Sequence, residues 1–449
     1  MKKGPQASFP SRSSLVSRFE DKKLLILMVV VTITIMVDSQ IGYIADFIPE
    51  QISSNVGIAA FTALAIIFAI TQYFILAYVK QSNKENRARA LHLSLTNSIV
   101  SVAQYILVGI LALVILQIII EQEYNIATLY VSNAISYGLW IVTLGLLAKA
   151  FFSWYRLSSK NVMVLILALS MIAYVVNGVT GLAHNFNMLS QQKSVITSKD
   201  VAYFPEFSIE TLVSQINLIY QIAGIVAYVL TWIGTVKLLY PYIRKLGKVK
   251  FWTIMGAAMV YYLINFPLFV LGYFNPSENV DAMTNILIFN FAAIFTGIVF
   301  GAAFLSVART LQKESGLRNH MIIAAYGFLL FYIAGTATAS QAAYPPYGLA
   351  SVSFIGLSCY MIYSGLYSSA VMVSQDVTLR HSIRKSVNEQ SKLLDSIGTA
   401  QMDQELQSRV LTITKKLSDK MEEETGVEPS MTMEDMKEQI ELIRKEIHK

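Results

Sequence analysis

The side chains best suited to chemistry are neutral amides and one histidine that interrupt long apolar runs. Gln215, Asn217 and Gln221 lie in one run, and Asn177 and His184 lie near the end of the preceding run. Amides donate and accept hydrogen bonds, so such a group could bind a neutral polar solute between helices. Amides in membrane helices also commonly bond to one another across helices. These five residues form a candidate polar pocket, with interhelical bonding as the alternative interpretation.

No pattern typical of catalysis accompanies these amides. The P-loop, GxGxxG, GxSxG and HExxH patterns are not found in the sequence. No two of the five histidines share a predicted helix at the spacing of metal ligands. The single cysteine, Cys359, excludes an internal disulfide and a metal site built from several thiolates. We therefore predict a protein that is not an enzyme and needs no cofactor.

Ten apolar stretches carry these residues. The chain of 449 residues is 54% hydrophobic and only 14% charged, against roughly 25% charged residues in soluble domains. A membrane-spanning helix needs about 20 apolar residues. The predicted spans are 24–43, 56–79, 96–120, 124–148, 161–183, 212–236, 251–274, 283–308, 321–341 and 348–372. The predicted fold class is an all-α polytopic membrane bundle of about ten transmembrane helices.

The same pattern divides the chain into three regions. Residues 1–23 form a polar N-terminal segment, 24–373 the transmembrane domain and 374–449 an amphipathic helical tail. Lysine and arginine stay on the cytoplasmic side of a membrane. With the N-terminus inside, 33 of the 35 basic residues lie inside, and only Lys193 and Lys199 lie outside. Both ends are therefore predicted to be cytoplasmic, in a cell (plasma) membrane.

The charge distribution also predicts a partner. Residues 1–373 carry a net charge of +9, whereas the tail carries −3. Because the basic excess lies beside the spans, we expect anionic lipid headgroups on the cytoplasmic side to be its partner, and not nucleic acid.

Small residues recur along two predicted helices at spacings of four or seven. Such residues allow close approach of helices in lipid, where apolar surface alone gives little drive to associate. We interpret them as packing faces within one chain. They are Ala293, Gly297 and Gly301 in one helix, and Ser351, Ser358 and Gly365 in the other.

The tail repeats apolar residues at spacings of three and four, the pattern of amphipathic helices. Gly398 is expected to separate the first helix from the second, and Gly426 with Pro429 the second from the third. About three helices are predicted, in coiled-coil-like association with a cytosolic partner or with themselves. The second series is Leu406, Val410, Ile413, Leu417 and Met421, and the third is Met436, Ile440, Ile443 and Ile447.

From Tyr344 to Ser386 the sequence reads YPPYGLASVSFIGLSCYMIYSGLYSSAVMVSQDVTLRHSIRKS, and QSKLLDSIGTAQMDQE follows at 390–405. This text resembles a family of uncharacterised multi-pass membrane proteins of ammonia-oxidising archaea (Thaumarchaeota). The resemblance is clearest over roughly 320–445. It implies an archaeal cell membrane and a coupling of the last helices to the tail, and it implies no substrate or catalytic residue.

Two functions remain open at this point. The nearly uncharged bundle and the helical tail favour a membrane sensor or interaction protein that couples the bundle to a cytosolic partner. The helix count and the amides instead favour a transporter or channel for a neutral or weakly polar solute. Buried carboxylates, which proton relays need, are scarce in the predicted spans, and this argues against proton-coupled pumping.

Overall fold

The computed structural model describes residues 13–45, 50–83, 91–121, 123–157, 161–190, 211–270, 279–311, 316–343, 346–376, 380–381, 383 and 389–425. These residues are arranged in long α-helices, which confirms the predicted all-α class. The helices are α1 Ser13–Ala45, α2 Glu50–Ser82, α3 Leu91–Glu121, α4 Ile126–Leu157, α5 Val162–Leu189, α6 Leu212–Leu239, α7 Lys248–Val270, α8 Asn279–Thr310, α9 Gly316–Ala343, α10 Leu349–Gln375 and α11 Glu389–Thr425. A 3-10 turn, Tyr240–Tyr242, and a single helical turn, Ile243–Leu246, lie between α6 and α7.

Within the described residues, nine helical stretches are long and apolar enough to cross a membrane. They are Lys23–Ile41, Asn55–Ser82, Leu93–Glu121, Ile126–Leu157, Val162–Leu189, Leu212–Leu246, Asn290–Arg309, Gly316–Thr336 and Leu349–Gln375. Each coincides with one of the ten predicted spans. The remaining prediction, 251–274, overlaps α7 and continues beyond the described residues, and it is not among the nine. The chain is thus a multi-pass membrane protein whose helices contact the lipid bilayer.

Helix α10 lies at the centre of the bundle. Of its 27 residues, 24 are buried, and it packs against α1, α2, α3, α4, α9 and α11. The peripheral helix α3 differs, because only 33% of its most apolar window is buried and its mean hydropathy reaches 2.6 against 1.5 for α10. A helix with no lipid-facing surface needs less apolar character and can carry polar groups that bond to its neighbours.

Glycines set the spacing between α8, α9 and α10. A methyl group on Gly297 or Gly301 of α8 would approach the carbonyl oxygens of Leu329 and Ala325 of α9 to 2.9 and 2.8 Å. On the other side of α9, a methyl group on Gly365 of α10 would come within 2.6 Å of the Ala324 nitrogen. Backbones therefore touch on both faces of α9. Ala293 is buried on α8, and the hydroxyl of Ser358 donates to the Ile355 carbonyl of its own helix.

The predicted break at Gly398 is wrong, because α11 continues through it from Glu389 to Thr425. Gly398 instead lies against Val373 near the end of α10, where a side chain would collide with the valine. Glycine in a helix costs about 1 kcal/mol relative to alanine, and here tertiary packing outweighs that cost. The predicted third tail helix, beyond Thr425, lies outside the described residues.

Candidate functional site

One end of α10 is capped by a carboxylate from another helix. The residue before α10 is Gly348, which has a positive φ of 81° and no side chain to cap the first turn. Asp38 of α1 occupies the place of a cap and accepts from the Gly348 and Ser351 N–H groups at 3.1 and 3.0 Å and from the Ser351 hydroxyl at 2.5 Å. The open N–H groups and the dipole of a helix N-terminus favour a negative charge there. Asp38 is completely buried.

We call this capped end of α10 the far end of the bundle, and the end at which α11 lies the tail end. Tyr347 covers the far end. Its ring meets Phe61 of α2 edge-on at 6.3 Å, and its hydroxyl lies against Gly57, where any side chain would collide with it. Burial, with a smaller contribution from the Asp38 carboxylate, raises the pKa of Tyr347 to about 12. The phenol therefore stays neutral at physiological pH.

Two glutamines continue the polar contacts along α10. The side-chain amide of Gln104 of α3 donates to the backbone carbonyl of Ser353 at 3.4 Å. The side-chain amide of Gln72 of α2 donates to the backbone carbonyl of Gln104 at 3.2 Å. The amide oxygens of both glutamines are buried and have no hydrogen-bond partner among the described residues. Within the described part of the chain, these two buried oxygens can each accept a further hydrogen bond.

Asn83, directly after α2, joins α10 at the tail end. Its amide donates to the Ser364 hydroxyl at 2.7 Å and accepts from the Ser368 hydroxyl at 3.1 Å. Tyr360 donates to the side-chain oxygen of Asn97 of α3 at 2.9 Å. From Ser351 to Ser368 these contacts follow 18 residues of α10, and the two serines lie about 25 Å apart at 1.5 Å per residue. We call the contacts of α10 with Asp38, Gln104, Asn97 and Asn83 the polar line.

Replacing Asn83 with alanine should destabilise the tail end of this line. The substitution leaves the Ser368 hydroxyl without its acceptor in a buried place, at a cost of about 1–3 kcal/mol. Thermal unfolding in detergent, followed by tryptophan fluorescence, measures the effect. The control is Ser98→Ala, which removes an exposed hydroxyl that donates to the Ser94 carbonyl of the same helix. Equal unfolding temperatures for the two variants would contradict the prediction.

A second polar group lies at the far end between α4, α5 and α9. Asn185 donates to the side-chain oxygens of Asn133 and Gln341 at 3.1 and 3.5 Å, and all three residues are at most 3% exposed. The Asn185 oxygen, the Gln341 nitrogen and the hydroxyls of Ser132 and Ser136 are buried without partners in the described structure. We call Asn133, Asn185, Gln341, Ser132 and Ser136 the amide cluster. The cluster is suited to binding a small molecule that both donates and accepts hydrogen bonds.

The five residues of the sequence-predicted pocket are only partly brought together. Asn177 donates to the Tyr220 carbonyl at 2.8 Å, and the His184 ring stacks on the Tyr220 ring at 5.4 Å. On α6, Gln215 is exposed, Gln221 is half-buried and Asn217 is 2% exposed. Tyr220 is thus the common neighbour of the two α5 candidates. Its ring also lies against Gly181 of α5, four residues before Asn185 of the amide cluster.

Sequence reasoning missed two central members of these sites. Asn83 and Asn185 fall just outside the predicted spans, which end at 79 and 183, whereas the helices continue to Ser82 and Leu189. Their signal was available in the sequence as amides within one turn of a span. Hydropathy excludes both residues, because it ends a span at its first polar residues.

The tail end of the bundle is covered by the first half of α11. The Trp154 indole of α4 donates to the Gln401 side-chain oxygen at 2.9 Å, and Asn161, the cap of α5, donates to the Ser396 hydroxyl at 2.8 Å. The apolar side chains on this face of α11 are at most 3% exposed, and they are Leu393, Leu394, Ile397 and Ala400. The first half of α11 is therefore docked on α4, α5 and α10.

No protein family, curated protein or solved structure matches the chain. The helices and contacts described above are therefore the basis for its function. They establish a multi-pass membrane protein with a buried central helix that is capped by Asp38 at one end and covered by α11 at the other.

Proposed function

We propose that this protein is a non-enzymatic membrane sensor or interaction protein that couples its transmembrane bundle to its tail. One observation carries the proposal: α10 runs buried through the bundle, bonds to Asp38 at the far end and packs against Gly398 of α11 at the tail end. Because α10 is buried and packs against six other helices, a shift at one of its ends displaces the side chains packed along it and so reaches its other end.

The coupling can be tested with cysteines in a Cys359→Ala background. Ala400→Cys reports undocking of α11, because Ala400 is fully buried there, whereas Thr412→Cys serves as an exposed reference. Asn185 lies about 36 Å along α5 from Asn161, the residue that bonds to Ser396 of α11. We expect Asn185→Ala to raise the rate of thiol labelling at position 400 several-fold. The control Val179→Ala changes a residue of α5 that is 51% exposed and should leave the rate unchanged. An unchanged rate in Asn185→Ala would overturn the coupling.

The proposal places ten spans in an archaeal cell membrane, with both ends in the cytoplasm and anionic headgroups beside the basic loops. Single cysteines at Ser8, Ser198 and Thr412 test this arrangement with a membrane-impermeant thiol reagent. We expect labelling of positions 8 and 412 in inverted vesicles and of position 198 in right-side-out vesicles. If positions 8 and 412 label from opposite sides, the number of spans is odd and the proposed topology is wrong.

Transport of a neutral solute is the second candidate. The polar line and the amide cluster support it, because their open amide atoms could exchange hydrogen bonds with a passing molecule. Among the described residues, Asp38 is the one buried carboxylate, and it is held by Ser351. This disfavours a relay of protons.

Cys359 distinguishes the two candidates without any substitution. It lies fully buried in the middle of α10, so we expect no reaction with an impermeant thiol reagent from either face of the membrane. Denatured protein provides the positive control. Rapid labelling of the native protein would mean that water reaches the centre of the bundle, and it would favour transport over sensing.

A further inference from the structure

The second half of α11 carries an apolar stripe that nothing in the described structure covers. Leu406, Val410, Ile413 and Leu417 are 52, 44, 59 and 57% exposed. Their spacing of four, three and four residues places them on one face of the helix, as in the seam of a coiled coil. We call them the distal stripe. Such a face on a helix outside the membrane normally packs against a partner.

We propose that the distal stripe is covered by residues 436–447 of the same chain, folded back as an antiparallel helix. This segment lies outside the described residues, and its sequence repeats the spacing of the stripe. The apolar residues match in four pairs. In each pair, one residue lies as many positions before the bond between Gly426 and Val427 as the other lies after it. The pairs are Leu417 with Met436, Ile413 with Ile440, Val410 with Ile443 and Leu406 with Ile447.

This register is the one that an antiparallel pair of helices requires. In the heptad of the stripe, Val410 and Leu417 take position a, and Leu406 and Ile413 take position d. In the segment, position a falls on Ile440 and Ile447 and position d on Met436 and Ile443. Every pair therefore joins an a residue to a d residue, which is the layer of an antiparallel coiled coil, and a slip of one residue would destroy all four layers.

The length of chain after α11 also fits. Helix α11 ends at Thr425, and 24 residues remain. Gly426 and Pro429 favour a turn, and residues 431–449 would then extend about 28 Å as a helix. The stripe and the segment each span twelve residues, whose first and last members lie about 16 Å apart along a helix. The tether keeps the segment at an effective concentration in the millimolar range, which favours it over an untethered partner.

Charge favours the same chain over a second copy. In the proposed hairpin, Arg409 beside the stripe lies across from Glu446. If two stripes paired antiparallel in the same manner, Arg409 would lie across from Lys416 of the second copy, and the like charges would repel. Residues 406–420 hold four basic and one acidic side chain, whereas 434–446 hold five acidic and three basic ones.

A disulfide test on the full-length chain examines the register. In the Cys359→Ala background, Ile413→Cys is combined with Ile440→Cys as the matched pair and with Ile447→Cys as the mismatched pair. Disulfides need Cα atoms within about 7 Å, and position 447 lies about 10 Å farther along a helix. On mild oxidation in membranes, we expect an internally bridged monomer for the matched pair only. Bridged dimers, or equal bridging of both pairs, would overturn the proposal.

A second measurement does not depend on disulfide geometry. Ile413→Cys should react with a thiol reagent several-fold more slowly than Thr412→Cys, which lies off the stripe. The substitutions Ile440→Lys and Ile443→Lys should remove that difference by releasing the segment. Equal rates at positions 412 and 413 in the otherwise unchanged tail would show an uncovered stripe and refute the hairpin.

Discussion

Replacing Asp38 with alanine is expected to lower the free energy of unfolding by about 3 kcal/mol, because it uncaps the central helix. The carboxylate accepts from the backbone N–H groups of Gly348 and Ser351. Without it, both donors remain buried where water is scarce, and each unmet donor costs about 1–3 kcal/mol. The Ser351 hydroxyl can rotate to another acceptor, so it adds less.

Two further substitutions separate the cap from a general sensitivity of this region. Asp38→Asn keeps one acceptor oxygen but loses the charge that the helix N-terminus favours, so its stability should be intermediate. Ser39→Ala, one residue along α1, removes the acceptor for Asn290 at 2.8 Å and a donor to the Met36 carbonyl of the same helix, and it should cost about 1 kcal/mol. Thermal unfolding in detergent ranks the three variants. If Asp38→Ala unfolds at the same temperature as Ser39→Ala, the carboxylate does not stabilise α10 as described.

Gly365→Leu is expected to prevent assembly of the bundle, and Gly365→Ala to destabilise it by about 1–3 kcal/mol. A methyl group at Gly365 would lie 2.6 Å from both the Ala324 nitrogen and the His320 carbonyl oxygen of α9. These are backbone atoms of a packed helix, so the helix as a whole must move. The larger leucine would separate α9 from α10 along their interface.

Gly109 of α3 provides the matched control, because a methyl group there would meet no atom within 4 Å. Gly109→Ala and Gly109→Leu should assemble normally. Size-exclusion chromatography in detergent reports assembly, and thermal unfolding reports the smaller effect of alanine. Normal assembly of Gly365→Leu would be incompatible with the close approach of α9 and α10.

The spans were accessible from the sequence because lipid imposes a local rule. Each helix must present about 20 apolar residues, and α2, α3 and α5 satisfy that rule without reference to any other part of the chain. The position of a helix within the bundle follows no such rule. The serines of α10 could be interpreted as a packing face, but only the folded arrangement shows that the helix is enclosed on every side.

The sites were less predictable because they join residues far apart in sequence. Asp38 caps a helix that begins more than 300 residues later, and no spacing pattern reports such a pairing. The intrinsic propensity of Gly398 predicts a helix break, whereas its role depends on Val373. Asn177 and His184 of the predicted pocket lie on α5, and Asn185 of the same helix bonds across to Asn133 of α4 and Gln341 of α9. No spacing pattern in the sequence reports these contacts between helices.

The enclosed position of α10 also constrains how the protein is made. α10 is the last of the nine spans to leave the ribosome, yet it occupies the middle of the finished bundle. The earlier helices therefore enter the membrane first, and the centre of the bundle stays unfilled until residues 349–375 are synthesised. With its serines and low hydropathy, α10 enters lipid less readily than α3 does, so ready-made neighbours should assist its insertion. Closure of the bundle then becomes a late event, almost coincident with the emergence of the tail that covers it.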